Sequence, residues 1–345
     1  KWLTSRCSEP LPVVTPGAWS LRSRHLSRQR SGAADRGRWA IQKDVFLKLN
    51  HNTMKNSRSM ITRLLALGLG LLVMTLGKAN ADTFGIGPST FIIDVLDVGN
   101  PGNENDISGA GGGLFASVLG EVDYSFRISK YEISQDQITA ATTLGLTNVT
   151  AGAHVGQMPA ANISWYEAAA FVNWLNQQRG YHVAYNLSFT TEWSVAPWIS
   201  GEQATTGVLS GTNPWRHKDA YYFLPSEDEW QLAVQGGDGR AYPWGGVGDL
   251  TRCYSHIAVP AGVGRTSRPV GSFPDDCSPQ GVFDLAGSVA EMVETRIDGR
   301  IWLLCGGCWA DRDVRRFCAA SRRAADERVV QSQVGLRLAL SVAAP

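Results

Sequence analysis

What this 345-residue sequence has little of narrows its class before any motif is considered. Histidine occurs six times, and no two of His25, His51, His154, His182, His217 and His256 stand at the spacing of a ligand pair on a helix or hairpin. A histidine metal centre therefore has no support. No segment supplies the roughly 20 apolar residues that a membrane-spanning helix needs, and the apolar run at residues 64–77 stops at 14. Basic charge is scarce in the body of the chain. Residues 82–345 carry 18 Lys and Arg against 28 Asp and Glu, a net charge of −10. Nucleic acid attracts proteins through clustered Lys and Arg, so it is not an expected partner. The glycine-rich stretch after residue 99 lacks the Gly-Lys-Ser/Thr ending of a phosphate-binding loop. Internal repeats and heptads are also missing.

What is present is a globular composition, 43% hydrophobic with twelve Trp. Residues 1–53 differ from the rest. They hold ten Lys and Arg against three acids and show neither a helical nor a strand period. They read as a non-native extension or as a disordered basic tail. Met54 then opens a basic segment with Lys55, Arg58 and Arg63, followed by the apolar run and by Ala79-Asn80-Ala81. That is the three-part layout of a secretory signal peptide over residues 54–81, with a mature chain starting at Asp82. The other reading is a buried helix of a cytosolic protein. Export to the periplasm, cell envelope or exterior places Cys253, Cys277, Cys305, Cys308 and Cys318 where disulfides persist. Five is odd, so at least one thiol stays free or pairs outside the chain. No membrane span is expected in the mature chain.

Residues 82–120 are rich in Gly, Asn and Asp. They read as a surface loop or hairpin turn, or as a loop holding a cation through Asp and Asn oxygens. Residues 126–134 alternate as a half-buried strand does. Three helix starts share one device: Ser134 with Gln137, Ser164 with Glu167, and Ser226 with Glu229 stand three apart, as in a capping box. The second helix places Trp165, Ala168, Phe171, Val172 and Leu175 on one face and ends at Gly180; the third stops at Gly236-Gly237. Residues 181–222 read as a polar, Trp-bearing insertion. From 238 onward, Gly and Pro leave only short segments.

These segments resemble, in order, the formylglycine-generating enzyme or sulfatase-modifying factor family, with its relatives among the ergothioneine-forming iron enzymes. FRISKYEIS resembles the family's opening strand and NISWYEAAAFVNWLN its "V-S-W-x-x-A" helix. LPSEDEWQLAVQGG and AYPWGG resemble the helix and turn that follow. PVGSFP and GVFDLAGSVAEMVE resemble the "G-L-x-D-M-x-G-N-V-W-E-W" loop. LLCGGCW and QVGLRLA resemble "R-G-G-S-W" and "x-G-F-R". The match spans residues 121–340. It implies a single mixed α+β domain, rich in irregular structure and related to the C-type lectin fold.

The resemblance also implies chemistry. The family's oxidases convert a substrate cysteine to formylglycine with oxygen and one copper ion held by two cysteines, soft ligands suited to Cu(I). Here the first of those positions falls on Asp311 and the second within residues 314–316, and none of these is cysteine. Copper is therefore not expected, nor is iron, which the relatives hold through clustered histidines. The catalytic candidates that remain are Cys308, which stands where the family has serine, Cys318, which matches a structural cysteine, and Gln333, where the oxidases have asparagine. Cys305 and Cys308 form a C-x-x-C pair. Residues three apart in a strand point to opposite faces, so buried thiols or one disulfide are expected rather than a relocated redox site. A structural calcium is implied at Asp284, Gly287, Val289 and Glu291, oxygen donors that suit that ion. The alternative there is a fourth capping box between Ser288 and Glu291. A second calcium loop near 253–264 is not carried over, because Cys253 and Gly262 replace its oxygen donors. Ala290 and Met292 replace two tryptophans of the substrate groove. Arg312, Arg315, Arg316, Arg322 and Arg323 line an anionic pocket or are neutralised by Asp311, Asp313, Asp326 and Glu327. Two functions follow: an exported enzyme of the sulfatase-modifying type, or a non-catalytic binding or scaffold module for a protein, peptide or carbohydrate ligand. A lectin-like sugar binder is a third reading, by analogy of fold.

Overall fold

The Ser-x-x-Gln/Glu spacings at Ser134, Ser164 and Ser226 close into capping boxes in the computed structural model, which describes residues 80–99, 101–103, 120–150, 152, 154–205, 211–257, 267–328 and 330–343. Helix α1 (Gln135–Thr143) starts where Ser134 Oγ accepts the Gln137 N–H and Gln137 Oε1 accepts that of Ser134. Helix α2 (Trp165–Gln178) repeats this with Ser164 and Glu167, and α3 (Glu227–Gln235) with Ser226 and Glu229. Each box satisfies two backbone donors that the first turn would otherwise leave open. Helix α3 ends at Gly236, whose φ of +66° favours glycine.

The strands, in chain order, are β1 (Asn80–Phe84), β2 (Phe91–Val98), β3 (Phe126–Ser129), β4 (Asn186–Phe189), β5 (Trp193–Ala196), β6 (Gln203–Thr205), β7 (Thr212–His217), β8 (Tyr222–Phe223), β9 (Ala290–Asp298), β10 (Ile301–Cys305), β11 (Arg322–Asp326), β12 (Val334–Leu336) and β13 (Ala339–Ser341). One antiparallel sheet runs β1-β2-β3-β13-β8, and a second runs β11-β10-β9-β12, in which β12 pairs with β9 in parallel. β4 with β5, and β6 with β7, form separate hairpins. This is a mixed α+β architecture with a large share of irregular chain.

Three sequence expectations change. Residues 82–98 are a strand pair at the edge of the main sheet, where Val95 to Val98 of β2 pair with Ser129 to Phe126 of β3. Pairing of β1 starts at Asn80, two residues before Asp82; the rest of the expected leader, like residues 104–119, lies outside the described residues. The strand expected over 126–134 ends at Ser129, because Glu132 turns into the interior to accept hydrogen bonds from Ser288 Oγ and the Val289 N–H. The insertion at 181–222 is built of hairpins. Among the described residues no disulfide forms, and Cys253, Cys277, Cys305 and Cys308 are free thiols.

All described residues belong to one compact unit. Its core joins the large sheet to α2 and to β9 and β10, and Trp165 stacks on Trp302 with ring centroids 3.6 Å apart. A smaller core holds Tyr242, Leu250, Cys253, Ala286, Phe317 and Cys318. Among the described residues no helix is long and apolar enough to cross a membrane.

Candidate functional site

Strand β10 delivers the chain into Cys305-Gly306-Gly307-Cys308. A Cβ on Gly307 would come within 2.5 Å of the Phe317 ring and 2.9 Å of the Ala286 carbonyl, so this step requires glycine. The turn fixes where the cysteines go. Cys305 is fully buried, and burial pushes its thiol up to about 12. Cys308 is also buried. Its thiol donates to Asp311 Oδ2 at 3.2 Å, and the same oxygen accepts the Cys308 N–H at 2.9 Å and Arg323 Nη2 at 2.7 Å. Burial, and then the Asp311 charge, raise this thiol, with Arg323 opposing. Both groups are held as neutral thiols, the unreactive form.

Cys318 lies in the smaller core, where its thiol donates to the Arg315 carbonyl at 3.0 Å. The three cysteines therefore do not form one site. The 314–316 segment is a single 3-10 turn (Val314–Phe317), capped by Asp313 accepting the Arg315 N–H. Bonds from Arg315 hold Asp313 down at about 2. Gln333 contributes its carbonyl to the Ala290 N–H at 2.9 Å and does not meet Cys308 through any hydrogen bond.

The arginines are partly neutralised as expected, with different partners. Arg323 pairs with Asp311 and Arg315 with Asp313, but Arg322 reaches Glu227 of α3 at 3.2 Å and Gln231 at 2.7 Å. Glu327 instead faces Arg296 and Arg300.

The loop expected to hold calcium is buried and crowded with carboxylates. Arg337 is fully buried and binds Glu291 through Nε and Nη2, both at 2.6 Å; it also donates to the carbonyls of Ser129, Phe283 and Asp284. Trp230 Nε1 donates to the same Glu291 at 2.7 Å. Asp284 Oδ2 accepts the Gly271 N–H at 2.5 Å. Sequence reasoning missed Glu132 and Asp276, which complete the cluster; Asp276 accepts the Ala286 N–H. Neither carried a sequence signal: Glu132 lies beyond the end of β3, and Asp276 sits in a turn. Burial raises Glu132 and Asp276 well above the carboxylate range and Asp284 to about 6. The capping box between Ser288 and Glu291 does not form, because residue 290 begins β9 and Glu291 turns inward to Arg337. Among the described residues no group of three or more His, Cys, Asp or Glu side chains has the geometry of a metal site.

A second charged cluster is buried beneath β7. Arg216 Nη1 lies 3.3 Å from Glu229 and 3.1 Å from Glu294, its Nη2 donates to Tyr124, and its guanidinium sits 3.9 Å from the centre of the Phe223 ring. His182 and His217 stack at 3.4 Å with Trp198 edge-on.

The order of these segments, the Gly-Gly turn after β10 and the sheet topology define a chain of the sulfatase-modifying factor type. The sulfatase-modifying factor enzyme 1-like domain matches residues 119–342, and the chain belongs to that family. No curated protein sequence matches it. Among solved structures it is similar to CarF, with 22% identity and a TM-score of 0.49 over 73% of this chain and 99% of that one. It is similar to variable protein 1 of Treponema denticola, with 19% identity and a TM-score of 0.50 over 76% and 99%. PvdO from Pseudomonas aeruginosa gives 16%, 0.47, 77% and 100%. At these identities the likeness concerns fold alone.

Proposed function

We propose that this protein is an exported, non-catalytic binding module of the sulfatase-modifying factor family. The observation that carries the proposal is Asp311. It stands at the family's first copper-cysteine position and is committed to Arg323, to the Cys308 N–H and to the Cys308 thiol. A hard carboxylate does not replace a soft thiolate for Cu(I). Arginine cannot lose its proton to become a ligand, so the turn at the second position supplies none either. Cys308 keeps its proton, because burial and then the charge of its Asp311 partner both raise the thiol. The residues present do not fit copper. The test loads purified protein with copper and supplies a Cys-x-Pro-x-Arg peptide, oxygen and a thiol reductant. Mass spectrometry should find no aldehyde. Aldehyde formation that vanishes in Cys308→Ser would overturn the reading in favour of the oxidase alternative.

Calcium is part of the proposal. Four buried carboxyl groups, Glu132, Asp276, Asp284 and Glu291, lie within electrostatic reach of one arginine, Arg337, and a cation with oxygen donors would let the groups that burial raises give up their protons. Asp284 and Glu291 would hold it with the carbonyls of Gly287 and Val289. Glu291 accepts from Arg337 through both oxygens, but a carboxylate has about four lone-pair sites, so it can be shared. The ion would supply charge neutralisation and a fixed loop.

A further inference from the structure

The β4–β5 hairpin, the start of α2, the 148–150 loop, Arg328 and Val330 line an open cavity of about 550 Å³. That lies within the roughly 300–1,000 Å³ usual for small-ligand sites. It shares no residue with the Cys308 segment or the Arg337 cluster. Its wall is aromatic. Trp193 lies parallel to Tyr166, with centroids 6.3 Å apart and planes 10° from parallel, and Phe189 tilts against Trp193 at 4.8 Å. Phe189 is 45% exposed, so the apolar wall is open to solvent.

The rim is polar and uncommitted. Asn148, Thr150 and Thr191 are exposed, and their side chains make no hydrogen bond with any described residue. Across the mouth, Arg328 Nη2 meets Glu192 Oε2 at 2.8 Å, with 45% and 69% of the two side chains exposed. An exposed pair of this kind adds little stability, so both groups can turn to a ligand at small cost. Three backbone N–H groups nearby are spent: those of Thr150 and Ser164 both donate to Glu167, and that of Thr190 donates to the Glu192 carbonyl. A molecule with an apolar face and an edge of hydroxyls would find an aromatic surface for the face and amide, hydroxyl, carboxylate and guanidinium groups for the edge.

We propose that this cavity binds a hexopyranose unit of a carbohydrate chain, its C–H face stacked on Trp193 and its hydroxyls held by Asn148, Thr191 and the Glu192–Arg328 pair. The proposal goes beyond the reading of the copper segment, and the fate of the peptide oxidation test does not affect it.

The test incubates the full-length protein with a printed array of neutral and N-acetylated oligosaccharides, and titrates the captured sugar by calorimetry. Wild type should bind at least one hexopyranose-terminated glycan. Trp193→Ala should weaken it about tenfold, a typical loss for an aromatic stacking contact, and Trp193→Phe should restore most of the affinity. Should Trp193→Ala fail to fold, the exposed-rim variants Thr191→Val and Glu192→Gln carry the test, each with an unchanged melting curve and weaker binding. Absence of any captured glycan overturns the proposal. So does glycan binding that all these variants leave intact, and so does Trp193-dependent capture of a peptide that no sugar displaces.

Discussion

Replacing Arg216 by methionine isolates the cost of a buried ion cluster, because methionine keeps most of the packing against Phe223 and removes only the charge and its donors. Arg216 is the cation shared by Glu229 and Glu294, both fully buried. Glu229 keeps the Ser226 N–H and Tyr124 hydroxyl, and Glu294 keeps Asn213 and Tyr185. Neither keeps a counter-charge. Breaking a buried pair from one side typically costs about 3–5 kcal/mol, a large part of the roughly 5–15 kcal/mol that holds a domain folded. At about 2–4 °C per kcal/mol, the melting temperature should fall by roughly 6–20 °C. The loss must also depend on pH. Burial first, and then the Glu229 charge, raise Glu294 from 4.5 to about 7, with Arg216, Tyr185 and Asn213 opposing. Its folded form binds the proton more readily than the unfolded chain does, so this group favours folding increasingly as pH falls from about 7 toward 4.5. Without Arg216 that gain should be larger and start at higher pH. Urea melts at pH 8 and pH 5 measure both effects. A loss under about 1 kcal/mol, typical of an exposed pair, or a loss equal at both pH values, would refute the assignment of Arg216 as the counter-ion.

Three other expectations follow. Chelator should lower the melting temperature by several degrees, since an ion bound only by the folded state at about 100 times its dissociation constant adds roughly 2.7 kcal/mol; Asp284→Ala should abolish that response, and identical melts with EGTA and with calcium would remove calcium from the proposal. His217 is lowered from 6.5 by burial and by the stacked His182, with Lys218 assisting and Asp219 and Glu202 opposing, so its neutral ring carries stability that is present above pH 6.5 and lost as pH falls through its lowered value; His217→Gln should flatten that part of the acid limb of a melting series, and an unchanged limb would exclude it. N-terminal sequencing of exported protein should begin Asp82-Thr83-Phe84, whereas a cytosolic product retaining residues 1–53 would end the export proposal.

What could be read from the sequence was local. The capping boxes at Ser134, Ser164 and Ser226 depend on partners three residues apart, so the spacing alone placed three helix starts. The same spacing at Ser288, offered as the alternative to calcium, forms no box, because Glu291 is drawn to Arg337, 46 residues away, and tertiary pairing overrides the local motif. The hairpins of 181–222 were hidden by short strands with mixed polar and aromatic residues, whose order comes from cross-strand pairing such as Phe189 with Trp193. The order of family segments gave the fold class, since order and spacing survive where single motifs drift.

The candidate site shows the same division. That Asp311 cannot serve as a thiolate was legible from one letter. What it does instead was not, because Arg323 reaches it from β11 across a sheet register that pairs Leu304 with Arg323. Once a carboxylate stands at that position inside a buried turn, it needs a counter-charge and donors, and Arg323, the Cys308 N–H and the Cys308 thiol provide them. The thiol is thereby turned into a hydrogen-bond donor, the reverse of the deprotonated state that metal or redox chemistry requires. Restoring cysteine at Asp311 alone would leave Arg323 without its carboxylate and Cys308 still buried. Recovery of copper chemistry therefore needs concerted changes at Asp311, Arg323 and the Val314–Phe317 turn, and a single substitution should give a less stable protein, not an oxidase.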